Sequence, residues 1–321
     1  MLHGAGITVV GAGVSGLTCA IRLAEAGARV RVLAAEPPER TVSAVAAAVW
    51  YPYRAYPEAL VLGWARRSRE VFDQLAANPA SGVAVREGLE LLRAAHPEDP
   101  WWSSAVRSFR RARREQLPAW AADGWAFEAP VVDMGRYLPF LRGRLDQLGA
   151  RLHTQALSTL DQAPGDLVVN CSGLGAHQLV PDPTLTPIRG QVVRVANPGL
   201  ERFVIADHHP GGMAYVIPRF QDVICGGTSE EGASSLHPDE ATTRAILHRC
   251  ADLEPALASA RVLEVKVGLR PGRPAIRLDT ERRGGRTVIH DYGHGGAGVT
   301  VSWGCAEAVV GLCIASWHAD R

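Results

Sequence analysis

The chain has 321 residues, about two domains at roughly 150 residues each. Hydrophobic residues make up 47% and charged residues 21%, enough to fill a sizeable core beneath an ordinary polar surface, which excludes a disordered chain, a collagen and a coiled coil. Thirty-four basic against thirty-three acidic side chains leave a net charge of +1, so no global field draws the chain to nucleic acid or anionic lipid.

The longest uncharged stretch, Gly4 to Ile21, is broken by Gly4, Gly6, Gly11, Gly13 and Gly16, and no lysine or arginine precedes it as in a signal peptide. The expectation is a soluble, cytoplasmic protein without a membrane partner. Within that stretch Ile7-Thr8-Val9-Val10 reads as a short strand. It ends at Gly11-Ala12-Gly13-Val14-Ser15-Gly16, after which Leu17, Ala20, Leu23 and Ala24 recur at helical spacing until Gly27. Val30-Arg31-Val32-Leu33 alternates as a second strand, which completes a βαβ unit. In such a unit Gly11 permits the sharp turn, Gly13 lets a pyrophosphate approach the backbone, and Gly16 lets the helix pack closely on the sheet. The first helical residues, Val14 and Ser15, would turn their amides to the anion. Glu36 lies about 20 residues past Gly16, the spacing of a ribose-binding acid. A surface position beside Pro37-Pro38 is its other reading. The fingerprint does not separate NAD from FAD.

Farther along, Leu60 to Leu75 and Tyr137 to Leu148 read as helices, and Arg107, Arg110, Arg111, Arg113 and Arg114 as a solvated basic face on another helix. Leu167-Val168-Val169-Asn170 and Thr287-Val288-Ile289-His290 are buried strands that would extend the first sheet. Gln191 to Val195, Ala214 to Pro218 and Val223 to Gly227 alternate, and are assigned to a second, mixed or antiparallel sheet. No linker or repeat separates the two, so the domains are expected to interleave. Lys266, the sole lysine, sits in a strand pattern without a phosphate loop, which argues against Schiff-base chemistry. Six cysteines without C-x-x-C spacing read as buried free thiols, with no metal site.

Two C-terminal segments bear on the chemistry. Gly268-Leu269-Arg270-Pro271-Gly272-Arg273-Pro274 holds arginines in a proline-stiffened backbone, and a rigid guanidinium is a natural partner for a carboxylate. His294-Gly295-Gly296-Ala297-Gly298-Val299-Thr300 is a glycine loop opening a helix, a second place where amides and a helix dipole meet a ligand. A flavin buried between domains needs such an element, whereas an NAD site does not.

At this point the chain resembles the D-amino-acid oxidase family of FAD-dependent amine oxidases. Five stretches carry the likeness: Val10 to Leu17; Ala46-Ala47-Ala48-Val49-Trp50-Tyr51-Pro52-Tyr53; Arg189-Gly190-Gln191; Tyr215-Val216-Ile217-Pro218 with Gly226-Gly227-Thr228; and Gly268-Leu269-Arg270-Pro271 with Tyr292-Gly293-His294-Gly295-Gly296. The resemblance implies an α/β chain with a Rossmann-like FAD-binding domain formed by residues 1–52, 145–183 and 265–321. A mixed or antiparallel-sheet substrate domain would come from residues 53–144 and 184–264. By the same resemblance Arg270 would clamp the substrate carboxylate with Tyr215, Tyr53 would border the pocket, and the Gly296 carbonyl would accept from the substrate amine. Gly11, Gly13, Val14, Ser15 and Gly16 would meet the pyrophosphate and Glu36 the ribose. Ser43, Ala46, Ala47 and Ala48 would lie against the flavin, Ser172 and Gly173 would pass it by backbone, and Gly295, Gly296, Gly298, Val299 and Thr300 would face its pyrimidine side. Trp50 would pack.

The implied reaction is oxidative deamination of neutral, and conceivably basic, D-amino acids to 2-oxo acids, ammonia and hydrogen peroxide, with the D-amino acid and O2 as partners and a homodimer as a possible assembly. Alternatives are a glycine/sarcosine-type oxidase, a quinone-linked dehydrogenase, an NAD-dependent dehydrogenase, or a dinucleotide-binding module without turnover. The acidic-substrate branch of the family carries an arginine after Gly-Gly-Thr, where this chain has Ser229-Glu230-Glu231. If they face the pocket, those residues would repel D-aspartate. The loop Asp207 to Met213 is short and lacks the lid tyrosine of animal members, so an open site with fast product release is expected. His208 and His209 on this loop read as solvated histidines.

Overall fold

A computed structural model describes residues 1–319, so the last two positions of the segment expected at 265–321 lie outside the described residues. The strand Gly6–Val10 and the helix Val14–Glu25 are joined by the glycine turn, and the returning strand Arg29–Ala34 pairs with the first in parallel register, Val9 opposite Val32. Leu167–Asn170 adds on the other side, also parallel, with Val9 opposite Val169. A central parallel strand is covered on both faces, which is why this one is nearly all apolar. The complete sheet has six strands in the order Arg277–Arg283, Arg286–Tyr292, Leu167–Asn170, Gly6–Val10, Arg29–Ala34, Arg151–Thr154. Only the outermost pair at the first end is antiparallel.

The second sheet has nine strands and is mixed. Thr186–Ala196 lies between Asp222–Gly226 and Val262–Gly272, both antiparallel to it. Val83–Leu92 runs antiparallel to Asp123–Val132 and parallel to Phe203–Ala206. Fold class and the mixed second sheet therefore match the sequence reading. The segment after the first βα unit is what joins the two sheets: Val132 and Trp50 donate backbone hydrogen bonds to the Ala48 and Pro130 carbonyls, both 2.8 Å. That docking carries Ala46 to Tyr53 to the junction. Trp50 is 1% exposed and donates from Nε1 to the Ala65 carbonyl, as expected of a packing residue.

The residues expected to form a basic helix depart from expectation. Arg107–Arg111 is an edge strand paired with Asp123–Val132. Phe109 turns inward against Trp102 and Trp125, while Arg107, Arg110 and Arg111 ion-pair with Asp73, Glu87 and Asp123. Strand pairing and this alternation outweigh the helical preference of arginine.

The division at 265 falls inside the strand Val262–Gly272, which belongs to the second sheet along its whole length; the chain passes to the first sheet between Gly272 and Arg277. The division at 144/145 likewise falls inside the helix Met134–Gln147, which packs against Val14–Glu25.

The last helix, Gly298–Ala319, is long and apolar enough to span a bilayer by length and composition. It packs between the helices Val14–Glu25 and Glu58–Leu75, and Trp303, Cys305, Val309 and Cys313 are fully buried. Trp303 donates to the Tyr137 hydroxyl at 2.8 Å, which satisfies the one polar atom such a ring buries. All six cysteines are free and buried.

Candidate active site

A single cavity of about 770 Å3 runs from the glycine turn to Arg270, along the junction of the two sheets. At its first end the turn is built by close backbone approach. Gly11 has φ +116°, and a Cβ there would stand 2.3 Å from the carbonyl oxygen of Cys171, just past the neighbouring strand Leu167–Asn170. Gly13, Val14 and Ser15 line the wall, so the first turn of the helix opens on the cavity, and Ser43 Oγ accepts from the Val14 amide at 3.0 Å. Glu36 lines the same end, exposed and only loosely paired with Arg40. Gly16 is the exception among the predicted contacts. It is absent from the wall, and a Cβ on it would lie 2.0 Å from the Gly11 carbonyl oxygen, so it shapes the turn from behind.

The middle of the cavity is lined by Ala46, Ala47 and Ala48 on one side and Ser172 and Gly173 on the other. The Ser172 hydroxyl donates to Asn170 Oδ1 at 2.6 Å, and Asn170 in turn meets His290. Gly295, Gly296, Gly298, Val299 and Thr300 close the floor. Thr300 gives its hydroxyl to the Tyr51 carbonyl (2.9 Å) and accepts from the Tyr51 amide (3.1 Å), which ties the loop to the segment before it. Beneath this loop the fully buried Asp291 carboxylate meets His294 Nε2 at 2.9 Å and Cys19 Sγ at 3.4 Å.

These residues fit an extended dinucleotide. Small side chains leave room along the walls, and two glycine-rich helix N-termini, at Val14 and Gly298, supply oriented amides at separated points. FAD would be held at its pyrophosphate by Gly11 to Ser15 and at its ring end by Gly295 to Thr300.

The far end carries the charge. Arg270 projects from the strand Val262–Gly272 across Gly190, where a Cβ would stand 2.3 Å from Nη1. Nη1 donates to the Thr228 carbonyl at 3.1 Å, and no carboxylate among the described residues is within ion-pair reach. The motif around Gly190 builds this perch: Gln191 holds the Thr228 hydroxyl, and Arg189 is tied to Glu230 and to the Ser235 and His237 carbonyls. Tyr215 lies over Gly226 and Gly227, positions at which a Cβ would meet its ring at 2.0 Å and its hydroxyl at 2.6 Å. Burial raises the Tyr215 phenol pKa and the nearby Arg270 charge only partly offsets it, so the group stays a hydrogen donor at neutral pH. Tyr53 borders the cavity against Gly296, whose added Cβ would touch the Tyr53 ring at 2.5 Å.

The structure corrects two readings. Glu230 and Glu231 do not line the cavity; they are spent on Arg189 and Arg54. His208 is exposed, but His209 is 7% exposed, stacked edge-on to Trp120 and accepting the Gly211 amide at Nδ1. Burial lowers its pKa.

Two acids that the sequence did not single out stand here instead. Asp207 lines the cavity beside Met213, and Glu90 lies behind Tyr51, accepting its hydroxyl at 2.8 Å. No spacing rule marks either; only the crossing of separate strands brings them together. Burial raises the Glu90 carboxyl to about 7 from an ordinary 4.5, with the Tyr51 hydrogen bond opposing and Asp207 adding to the shift. A carboxyl raised in the folded state is stabilising while protonated, and that stability is lost as pH rises from 4.5 through 7. Glu90→Gln should therefore gain about 2 to 3 kcal/mol over the parent near pH 8, with the gain vanishing toward about pH 4.5. Thermal unfolding at several pH values checks this, and a gain independent of pH would refute it.

The chain matches the DAO family, described as FAD dependent oxidoreductase, over residues 6–312. It is 56% identical over 307 residues to a D-amino-acid oxidase of Rubrobacter xylanophilus, covering 95% of this chain and 94% of that protein. A D-amino-acid oxidase of Streptomyces coelicolor is 45% identical over 312 residues, covering 95% and 96%. Among solved structures, glycine oxidase from Geobacillus kaustophilus superposes with a TM-score of 0.81 at 19% identity, over 97% of this chain and 95% of that one, a likeness of fold.

Proposed function

Because this chain belongs to the DAO family of FAD-dependent oxidoreductases, we infer that it oxidises D-amino acids to 2-oxo acids, with ammonia and hydrogen peroxide as the other products. The observation that carries the reading is Arg270: a guanidinium fixed by the Thr228 carbonyl, without a carboxylate partner among the described residues, beside a protonated phenol at the end of a dinucleotide-sized cavity. An α-carboxylate fits that pair, with Arg270 offering a fork and Tyr215 a third donor. Bound FAD supplies what no side chain here can, accepting a hydride from Cα and returning the electrons to O2.

The chain's own contribution is positioning. Arg270 and Tyr215 anchor one end of the substrate, Tyr53 limits its tilt, and the Gly296 carbonyl accepts from the amine, leaving Cα–H in one orientation. The imino acid hydrolyses in water to the 2-oxo acid and ammonia. The six free, buried thiols support the cytoplasmic placement.

Peroxide formation by the yellow holoenzyme with D-alanine, L-alanine, glycine and sarcosine tests the assignment. Turnover of the D-isomer well above the other three is expected. Preference for glycine or sarcosine, or reduction of a quinone without peroxide, would replace it with one of the alternative reactions.

A further inference from the structure

Asp207 is the first residue past the strand Phe203–Ala206, and its side chain is on the cavity wall with Tyr51, Met213 and Tyr215. Among the described residues its carboxylate has no hydrogen bond and no ion pair. Behind it, Glu90 uses Oε1 for the Tyr51 hydroxyl, while Oε2 is buried without any partner. Two of the neighbouring cations have other partners, Arg54 with Glu231 and Arg270 with the Thr228 carbonyl, and the third, His208, is exposed. The pocket thus presents a positive fork on one wall and, near it, an Asp207 carboxylate without an ion-pair partner among the described residues. Leaving a carboxylate unpaired in so enclosed a place is costly, and a ligand cation would offset that cost.

We propose that Asp207 is a specificity residue that receives a cationic substrate side chain, so that D-arginine and D-lysine are favoured over neutral side chains of the same shape. The acidic selectivity that Ser229-Glu230-Glu231 does not supply then comes from another loop. Burial pushes the Asp207 carboxyl pKa up, and the charges of His208, Arg54 and Arg270 partly oppose it. This inference rests on the oxidase reading above.

The test compares kcat/KM for D-arginine and for D-citrulline, its uncharged isostere, in the holoenzyme and in Asp207→Asn. The ratio between the two substrates should fall about tenfold to a hundredfold in the variant, the scale of a lost charge-assisted hydrogen bond. Equal losses on both substrates would overturn the proposal and put Asp207 at the α-ammonium group. A second measurement needs no variant: 5-guanidinopentanoate should perturb the flavin spectrum of the parent holoenzyme with a Kd about tenfold below that of 5-ureidopentanoate. Equal affinities would overturn the proposal. If the holoenzyme oxidises no D-amino acid, the oxidase reading fails, and the two Kd values still decide whether the acidic wall selects a cation.

Discussion

An Arg270→Ala holoenzyme is expected to keep its flavin and to lose at least about a hundredfold in kcat/KM, because removing one partner of a bidentate carboxylate pair costs about 3 kcal/mol. The geometry makes the effect specific. Arg270 donates to the Thr228 carbonyl and lies across Gly190, where only the missing Cβ leaves it room. Arg54, also charged, is engaged with Glu231. Arg270→Lys should recover part of the loss at most, since an ammonium on a flexible stem cannot meet both carboxylate oxygens and the Thr228 carbonyl at once. Steady-state kinetics with a neutral D-amino acid, together with the flavin content of each variant, read this out. Unchanged activity in Arg270→Ala would mean that the substrate is anchored elsewhere and would favour a binding module without this chemistry.

Gly11→Ala should act at the other end of the cavity and abolish the yellow colour before it abolishes the fold. An alanine would have to adopt φ +116° and put its Cβ 2.3 Å from the carbonyl oxygen and 2.8 Å from the carbonyl carbon of Cys171. Both are backbone atoms of the loop beside Ser172 and Gly173, so relief requires the two strands to part where the cofactor site narrows. Backbone strain of this kind costs on the order of 1 to 3 kcal/mol, which predicts an about fivefold to 150-fold weaker hold on FAD. The flavin-to-protein ratio after gel filtration and titration of the stripped protein with FAD measure it, with circular dichroism to show that the chain is folded. A Gly11→Ala protein that retains flavin like the parent would remove the glycine turn from the cofactor site.

These two positions differ in how they could be read. Gly11 belongs to a local pattern in which strand, turn and helix follow within a few residues, so its backbone role is visible from spacing. Arg270 is one of several arginines in a stiff loop. Its neighbours Arg273 and Arg277 look equivalent in the sequence, yet they are spent on Asp182 and on Asp279 and Glu281. What distinguishes Arg270 is that, among the described residues, it forms no ion pair with an acid, a property of the surrounding fold; the sequence pointed to it through the family resemblance.

The arginine run after Arg107 shows the opposite case. Its composition suits a helix, but Phe109 finds an aromatic pocket and the flanking guanidinium groups find Asp73, Glu87 and Asp123 only when the segment is extended along Asp123–Val132. His209 is similar: on a loop of small residues it reads as solvated, and Trp120 covers it.

The βαβ unit and the glycine-rich opening of the last helix were determined by the sequence alone, because each depends on the conformational limits and apolar spacing of residues close together in the chain. Which charges face the substrate was decided only in three dimensions. Glu230 and Glu231 were drawn off by Arg189 and Arg54, while Asp207 and Tyr51 came to the wall from separate segments, with Glu90 behind Tyr51. A charge acts through space over distances that sequence separation does not measure, and whether it is spent or available depends on every partner the fold brings within reach.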